Sequence, residues 1–180
     1  MAIKTRCCAQ NETVTKPARQ LKLPPRLQTI AGNIEKNAAV ADVGTDHGLL
    51  PAYLAQNNLA RYIIASDKSE GSLKAALRTA AKYNVGDKIK FIAADGLQGV
   101  DISAVDTIVA AGMGGETIIK ILEDAPQVKS PGIKLILQPQ TKIDKLCHWL
   151  RENGYAVRDA IFTRENRRVY TIILAAARLS

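Results

Sequence analysis

From residue 38 onward the chain alternates two hydrophobic patterns. Short continuous apolar runs predict buried parallel strands, and apolar residues at i, i+3, i+4, i+7 predict helices. Ala38–Val43 is the first run and ends at Gly44. Leu49–Asn57 predicts a helix that tolerates Pro51 in its first turn. Arg61–Ser66 predicts a second strand ending at Asp67. Ser69–Tyr83 predicts a helix with Ser69 as N-cap and an inward stripe of Leu73, Ala76, Leu77 and Ala80. Lys88–Ala94, Val105–Ala111 and Ile133–Leu137 predict three further strands. Glu116–Glu123 and Lys142–Glu152 predict the helices after the last two of them. Tyr155–Phe162 and Arg167–Ala177 predict a closing pair of strands. They leave no space for a crossover helix, so their pairing is expected to be antiparallel. Upstream, Pro24-Pro25 opens a short helix over Arg26–Ala31. The expected fold class is α/β: a mostly parallel seven-stranded sheet with helices on both faces and an antiparallel last strand.

Such sheets bind ligands at the carboxyl ends of their strands, so the residues after each strand are the informative ones. The first strand runs into Asp42-Val-Gly-Thr-Asp-His-Gly48, where Gly44 permits close approach of a ligand. The second ends in Asp67, suited to a ribose diol. The third ends in Asp95-Gly96, suited to an adenine edge. Each position alone equally suits a helix cap or a turn; three acidic strand ends in order point to an adenosine compound. A dinucleotide requires G-x-G-x-x-G, whereas this loop carries acid where a pyrophosphate would lie. S-adenosylmethionine, which is cationic and has no phosphate, fits better. Gly112-Met113-Gly114-Gly115 reads either as bare backbone for a planar substrate or as a turn into a tightly packed helix. The amides of Gln138 and Gln140 have donors and acceptors for a base edge.

Composition narrows this further. The net charge of +8 is split between the ends: residues 1–25 and 140–180 each carry +4, and the middle is neutral. Localised basic surface suits an anionic partner. Arg26 and the cluster Arg164, Arg167, Arg168 are the candidates in the folded body, with Lys4, Arg6, Lys16, Arg19 and Lys22 ahead of it. No apolar run reaches membrane-spanning length and no secretory h-region opens the chain. Three cysteines without a C-x-x-C predict neither a disulfide framework nor a metal site. The expected setting is cytoplasmic. Residues 1–20 read as an arm and residues 21–180 as the folded domain. Trp149 and Tyr155 read as core.

Leu23–Ala31, Ala41–Pro51, Ala94–Leu97, Ala111–Gly115 and Leu135–Pro139 together resemble the TrmK family of bacterial tRNA (adenine(22)-N1)-methyltransferases, from about Leu21 to Ala177. The resemblance implies a Rossmann-like class I methyltransferase fold, S-adenosylmethionine as cofactor and tRNA as partner, with a monomer expected. It implies that Asp42, Gly44, Asp67, Asp95, Gly96, Gly112 and Met113 bind the cofactor. Arg26, with Arg164, Arg167 and Arg168, would bind tRNA. Asp46, His47, Gln138 and Gln140 are the candidate catalytic residues: Asp46 for the cationic product, His47 to orient it or meet the substrate, and the glutamines for the exocyclic amine. The alternatives are methyl transfer to another RNA or a small molecule, or a non-catalytic cofactor- or RNA-binding module. Two departures stand out: Gln140 occupies a position usually held by Asn, and the family's C-terminal coiled-coil domain is expected to be absent.

Overall fold

The computed structural model describes residues 19–178. The arm expected over residues 1–20, with Lys4, Arg6 and Lys16, lies outside the described residues except for Arg19 and Gln20. A single sheet runs through the molecule, built from β1 (Ala38–Val43), β2 (Ala60–Asp67), β3 (Lys90–Ala93), β4 (Thr107–Met113), β5 (Lys134–Pro139), β6 (Tyr155–Glu165) and β7 (Arg168–Ala177). The strand order is β3-β2-β1-β4-β5-β7-β6. The first five strands are mutually parallel, and β7 slots antiparallel between β5 and β6. The helices are α1 (Pro25–Gly32), α2 (Leu49–Gln56), α3 (Glu70–Lys82), α4 (Gly115–Glu123) and α5 (Ile143–Glu152).

The alternation of strand side chains sorts the core into two layers. Ala39, Ala41 and Val43 of β1 face α4 and α5, together with Ile108, Leu135 and Leu137. Ala38 and Val40 face α1, α2 and α3, together with Val109 and Ile136. All six residues of β1 are buried, as expected for a strand covered on both faces. Trp149 stacks on fully buried Tyr155 at 5.9 Å, and its indole N–H donates to Glu123 Oε1. Both therefore belong to the scaffold.

Several boundaries differ from the pattern. Residues 86–88 form a 3-10 turn, so β3 begins at Lys90. β4 starts at Thr107 and continues through Gly112 to Met113, with the register against β5 shifted between Ala111 and Met113. Apolar periodicity could not reveal this, because the shift is a bulge centred on a glycine with φ +81°. Leu77, assigned to the inward stripe of α3, is instead exposed. Only Ala76 and Ala80 of that stripe are fully buried, because α3 sits close against α2 at Gly48.

That close approach sets a prediction. Gly48 has φ +64°, and a Cβ there would lie 2.7 Å from Ala76 Cβ. Gly48→Ala is expected to lower stability by roughly 2–4 kcal/mol, combining left-handed strain with overpacking. Gly86→Ala, with nothing within 4 Å of its Cβ, should stay within about 0.5 kcal/mol. Chemical denaturation of the two variants checks the difference.

Candidate functional site

The order reversal between β1 and β4 opens a cleft at the carboxyl ends of the sheet. A cavity of about 400 Å³ lies there, lined among others by Arg26, Asp42, Gly44, Asp46, His47, Gly112 and Gln140. Seven of the residues singled out in the sequence thus converge on one space. A larger cavity of about 670 Å³ lies near the opposite ends of β4 and β5. Its two carboxylates are already engaged, Asp106 by Arg61 and the Ala39 N–H, and Asp101 by Ser103, so the chemistry points to the smaller one.

The first loop is fixed by backbone. The N–H groups of Gly44 and Thr45 both donate to the Ser66 carbonyl, at 2.8 and 3.0 Å. Gly44 has φ +69°, and a Cβ there would lie 2.7 Å from Met113 Cε. Asp46 also adopts a left-handed φ of 51°, and its N–H donates to Asp67 Oδ2. The other oxygen of Asp67 accepts from the Ser69 N–H. Asp67 therefore ties β2 to the β1 loop and keeps further lone pairs for a ligand. The side chains of Asp46 and His47 stand 3.6 Å apart and are about 70% exposed.

Asp42 differs from both. It is buried and accepts a hydrogen bond from Thr45 Oγ1 at 2.7 Å. Burial pushes its carboxyl up to about 6, with Asp67 adding repulsion and the Thr45 hydroxyl and Arg26 opposing the rise.

On the far side of the cavity, the bulge at Gly112 removes its N–H from the strand ladder. Gln138 Oε1 accepts that N–H at 3.1 Å and Arg26 Nη1 at 3.0 Å. The Gln138 amide donates to the Pro139 carbonyl. Gln138, expected to hold a substrate amine, is fully buried, with its amide oxygen on Arg26 and the Gly112 N–H and its NH2 on the Pro139 carbonyl. The Arg26 guanidinium lies over the Tyr170 ring at 5.6 Å, and the Arg26 N–H donates to Glu165 Oε2. Gln140 is exposed on the cavity, and its N–H donates to the Met113 carbonyl.

The glycine cluster divides between its two readings. Gly112 is exposed beside the cavity, whereas a Cβ on Gly115 would lie 2.6 Å from the Lys142 carbonyl oxygen. Gly112 is thus the open backbone and Gly115 the packing position. Asp95 and Gly96 do not line the main cavity. They border a separate recess of about 70 Å³, where Asp95 lies 3.7 Å from Lys68 Nζ. Arg164, Arg167 and Arg168 are exposed at the turn of the β6–β7 hairpin, outside the cavity lining. Thr45, Tyr170 and Glu165 join the site without a signal of their own in the sequence. Thr45 lies inside the Asp42–Gly48 loop, but nothing local marks Tyr170 or Glu165, which meet Arg26 through long-range packing onto α1.

The methyltransferase-domain family model matches residues 23–173. The tRNA (adenine(22)-N(1))-methyltransferase of Bacillus subtilis strain 168 is 35% identical over 158 residues, 88% of this chain and 66% of that protein. The crystal structure of B. subtilis TrmK has a TM-score of 0.82 at 35% identity, covering 87% of this chain and 67% of that one. A Streptococcus pneumoniae protein solved in complex with S-adenosyl-L-methionine has a TM-score of 0.79 at 31% identity, covering 86% and 74%. The chain belongs to the TrmK family of class I methyltransferases, and it spans about two thirds of the length of the B. subtilis relative.

Two predictions follow from the geometry. Raising the Asp42 pKa from 3.8 to about 6 makes the folded state the better proton binder. The stability it confers is therefore present below pH 3.8 and lost as pH rises through 6, a change of roughly 3 kcal/mol. Asp42→Asn is expected to flatten that loss in pH-dependent unfolding. Gln138→Leu leaves the Gly112 N–H and a guanidinium N–H without an acceptor, so it should cost roughly 2–4 kcal/mol in denaturant unfolding.

Proposed function

We propose that the chain transfers the methyl group of S-adenosylmethionine to N1 of an adenine in tRNA, at position 22 as in the B. subtilis relative. The observation that carries this reading is one cavity at the switch point that combines open glycine backbone, the carboxylates of Asp42 and Asp46 and an anchored guanidinium. Family membership supports it.

The residues present suit the cofactor. Asp67 retains acceptor capacity for a ribose diol. Gly44 offers backbone without a side chain, and Asp42 offers a carboxylate to a cationic amino-acid end. Asp95 and Gly96 border the recess for the adenine ring, and Met113 stands beside Gly44 where the methyl group would be delivered. When bound, S-adenosylmethionine supplies a methyl group activated on a sulfonium.

Adenine N1 carries a lone pair, so no side chain has to remove a proton before attack. The chain's task is to orient the base, exclude water and offset the positive charge that the base acquires. Asp46 is the exposed carboxylate on the cavity and takes the last role, with His47 beside it. Gln140 offers an amide to the base edge. Arg26 is a cation in the same cavity and would oppose charge developing on the base. The Gln138 oxygen and the Tyr170 ring hold its guanidinium against the wall, which leaves it to bind phosphate. Arg164, Arg167 and Arg168 extend that phosphate contact beyond the cavity. An adenine within a folded tRNA must be turned out to enter, and backbone contacts offset that energy.

The test is methylation of unmodified tRNA, followed by nucleoside mass spectrometry. 1-Methyladenosine is expected, and its loss is expected from a tRNA with guanine at position 22. Equal methylation of both tRNAs would overturn the site assignment. Asp46→Ala should lower kcat by about 100-fold, and wild-type turnover in that variant would remove Asp46 from the mechanism.

A further inference from the structure

Three large apolar side chains stand exposed among the described residues: Leu77, Phe162 and Val169. Two of them fall on one face of one hairpin. Arg164 pairs directly with Val169 and Phe162 with Thr171, so Phe162, Arg164, Val169 and Thr171 point to the same side. Phe162 and Val169 are diagonal neighbours across the strands. The opposite face carries Ile161 and Tyr170, directed at the α1 core and Arg26. The hairpin is therefore two-sided: one face builds the cavity wall, and the other presents an aromatic ring 69% exposed beside a valine 59% exposed.

The surroundings of that face are cationic. Arg164 lies within it and Arg167 sits at the turn beside it, whereas Arg168, paired with Glu165, alternates to the opposite face with Tyr170. None of the ion pairs among the described residues uses Arg164 or Arg167. The nearby carboxylate, Glu165, accepts the Arg26 N–H instead. An aromatic plane bordered by uncompensated arginines matches the combination that holds single-stranded nucleic acid: a base stacks on the ring and the adjoining phosphates meet the cations.

We propose that the outer face of the β6–β7 hairpin is a second RNA contact, in which Phe162, backed by Val169, stacks an unpaired base of the tRNA while Arg164 and Arg167 hold its flanking phosphates. This rests on the reading of tRNA as substrate and adds a contact outside the methyl-transfer cavity. Because one hairpin carries both faces, a base docked outside would fix the RNA relative to the Arg26 wall inside.

The test compares wild type with Phe162→Ala and Phe162→Trp, measuring KM for unmodified tRNA and direct tRNA affinity by fluorescence anisotropy. Phe162→Ala is expected to raise both KM and Kd about tenfold, in the range for loss of one base–aromatic stack. Phe162→Trp should restore them. S-adenosylmethionine affinity and melting temperature should not move in either variant, since the ring is exposed. Unchanged tRNA KM and Kd in Phe162→Ala, with wild type still methylating tRNA, would overturn this contact and leave the methyltransferase reading standing. Wild type that binds tRNA without methylating it would overturn the methyltransferase reading, and the anisotropy comparison would still decide the contact. A Phe162→Ala variant that changes oligomeric state by light scattering at unaltered tRNA affinity would assign the face to a protein partner and overturn the RNA proposal.

Discussion

Oε1 of Gln138 accepts two hydrogen bonds, from the Gly112 N–H and from the Arg26 guanidinium, and the far wall of the cavity is arranged around it. The bulge in β4 creates a backbone donor with no ladder partner. A buried donor left in that state costs on the order of 1–3 kcal/mol. Satisfying it with a side chain from the neighbouring strand lets the bulge persist. The same oxygen recruits Arg26 from α1. The exposed edge of Gly112, the direction of Arg26 and the placement of the hairpin over α1 thus share one acceptor.

The opposite wall follows another rule. Asp42 is the charged residue of a strand otherwise made of Ala and Val, and burial of that strand on both faces raises its pKa. Such a carboxylate destabilises the empty protein and is relieved by a cationic ligand, whereas Asp46 and His47 remain solvated. The two carboxylates of the cavity therefore differ in environment as they do in proposed role, which is the usual way one site obtains two behaviours from one residue type.

Much of this was legible in the chain. Short apolar runs located the strands because burial on two faces leaves little freedom in composition, and the acidic strand ends located one side of the cleft. The other side was harder to read. Gln138 has the sequence appearance of a base-reading amide, yet its engagement within the protein depends on a bulge in the neighbouring strand β4, which is remote in sequence. Asp95 and Gly96 were placed correctly at a strand end but border a recess apart from the main cavity. Tyr170 and Glu165 gave no signal, since their partner Arg26 lies in a helix near the other end of the chain.

The bond from the Arg26 N–H to Glu165 spans 139 residues. Strands β1 to β5 can pair and bury their core as they emerge from synthesis, each beside an earlier neighbour. β7 must then enter between β5 and β6 before Tyr170 can meet α1. Contacts of such sequence separation close a long loop, and that closure costs chain entropy. Closing the wall that would face RNA therefore requires chain from both ends of the described residues, whereas the parallel strands of the cofactor side need only the residues up to β5.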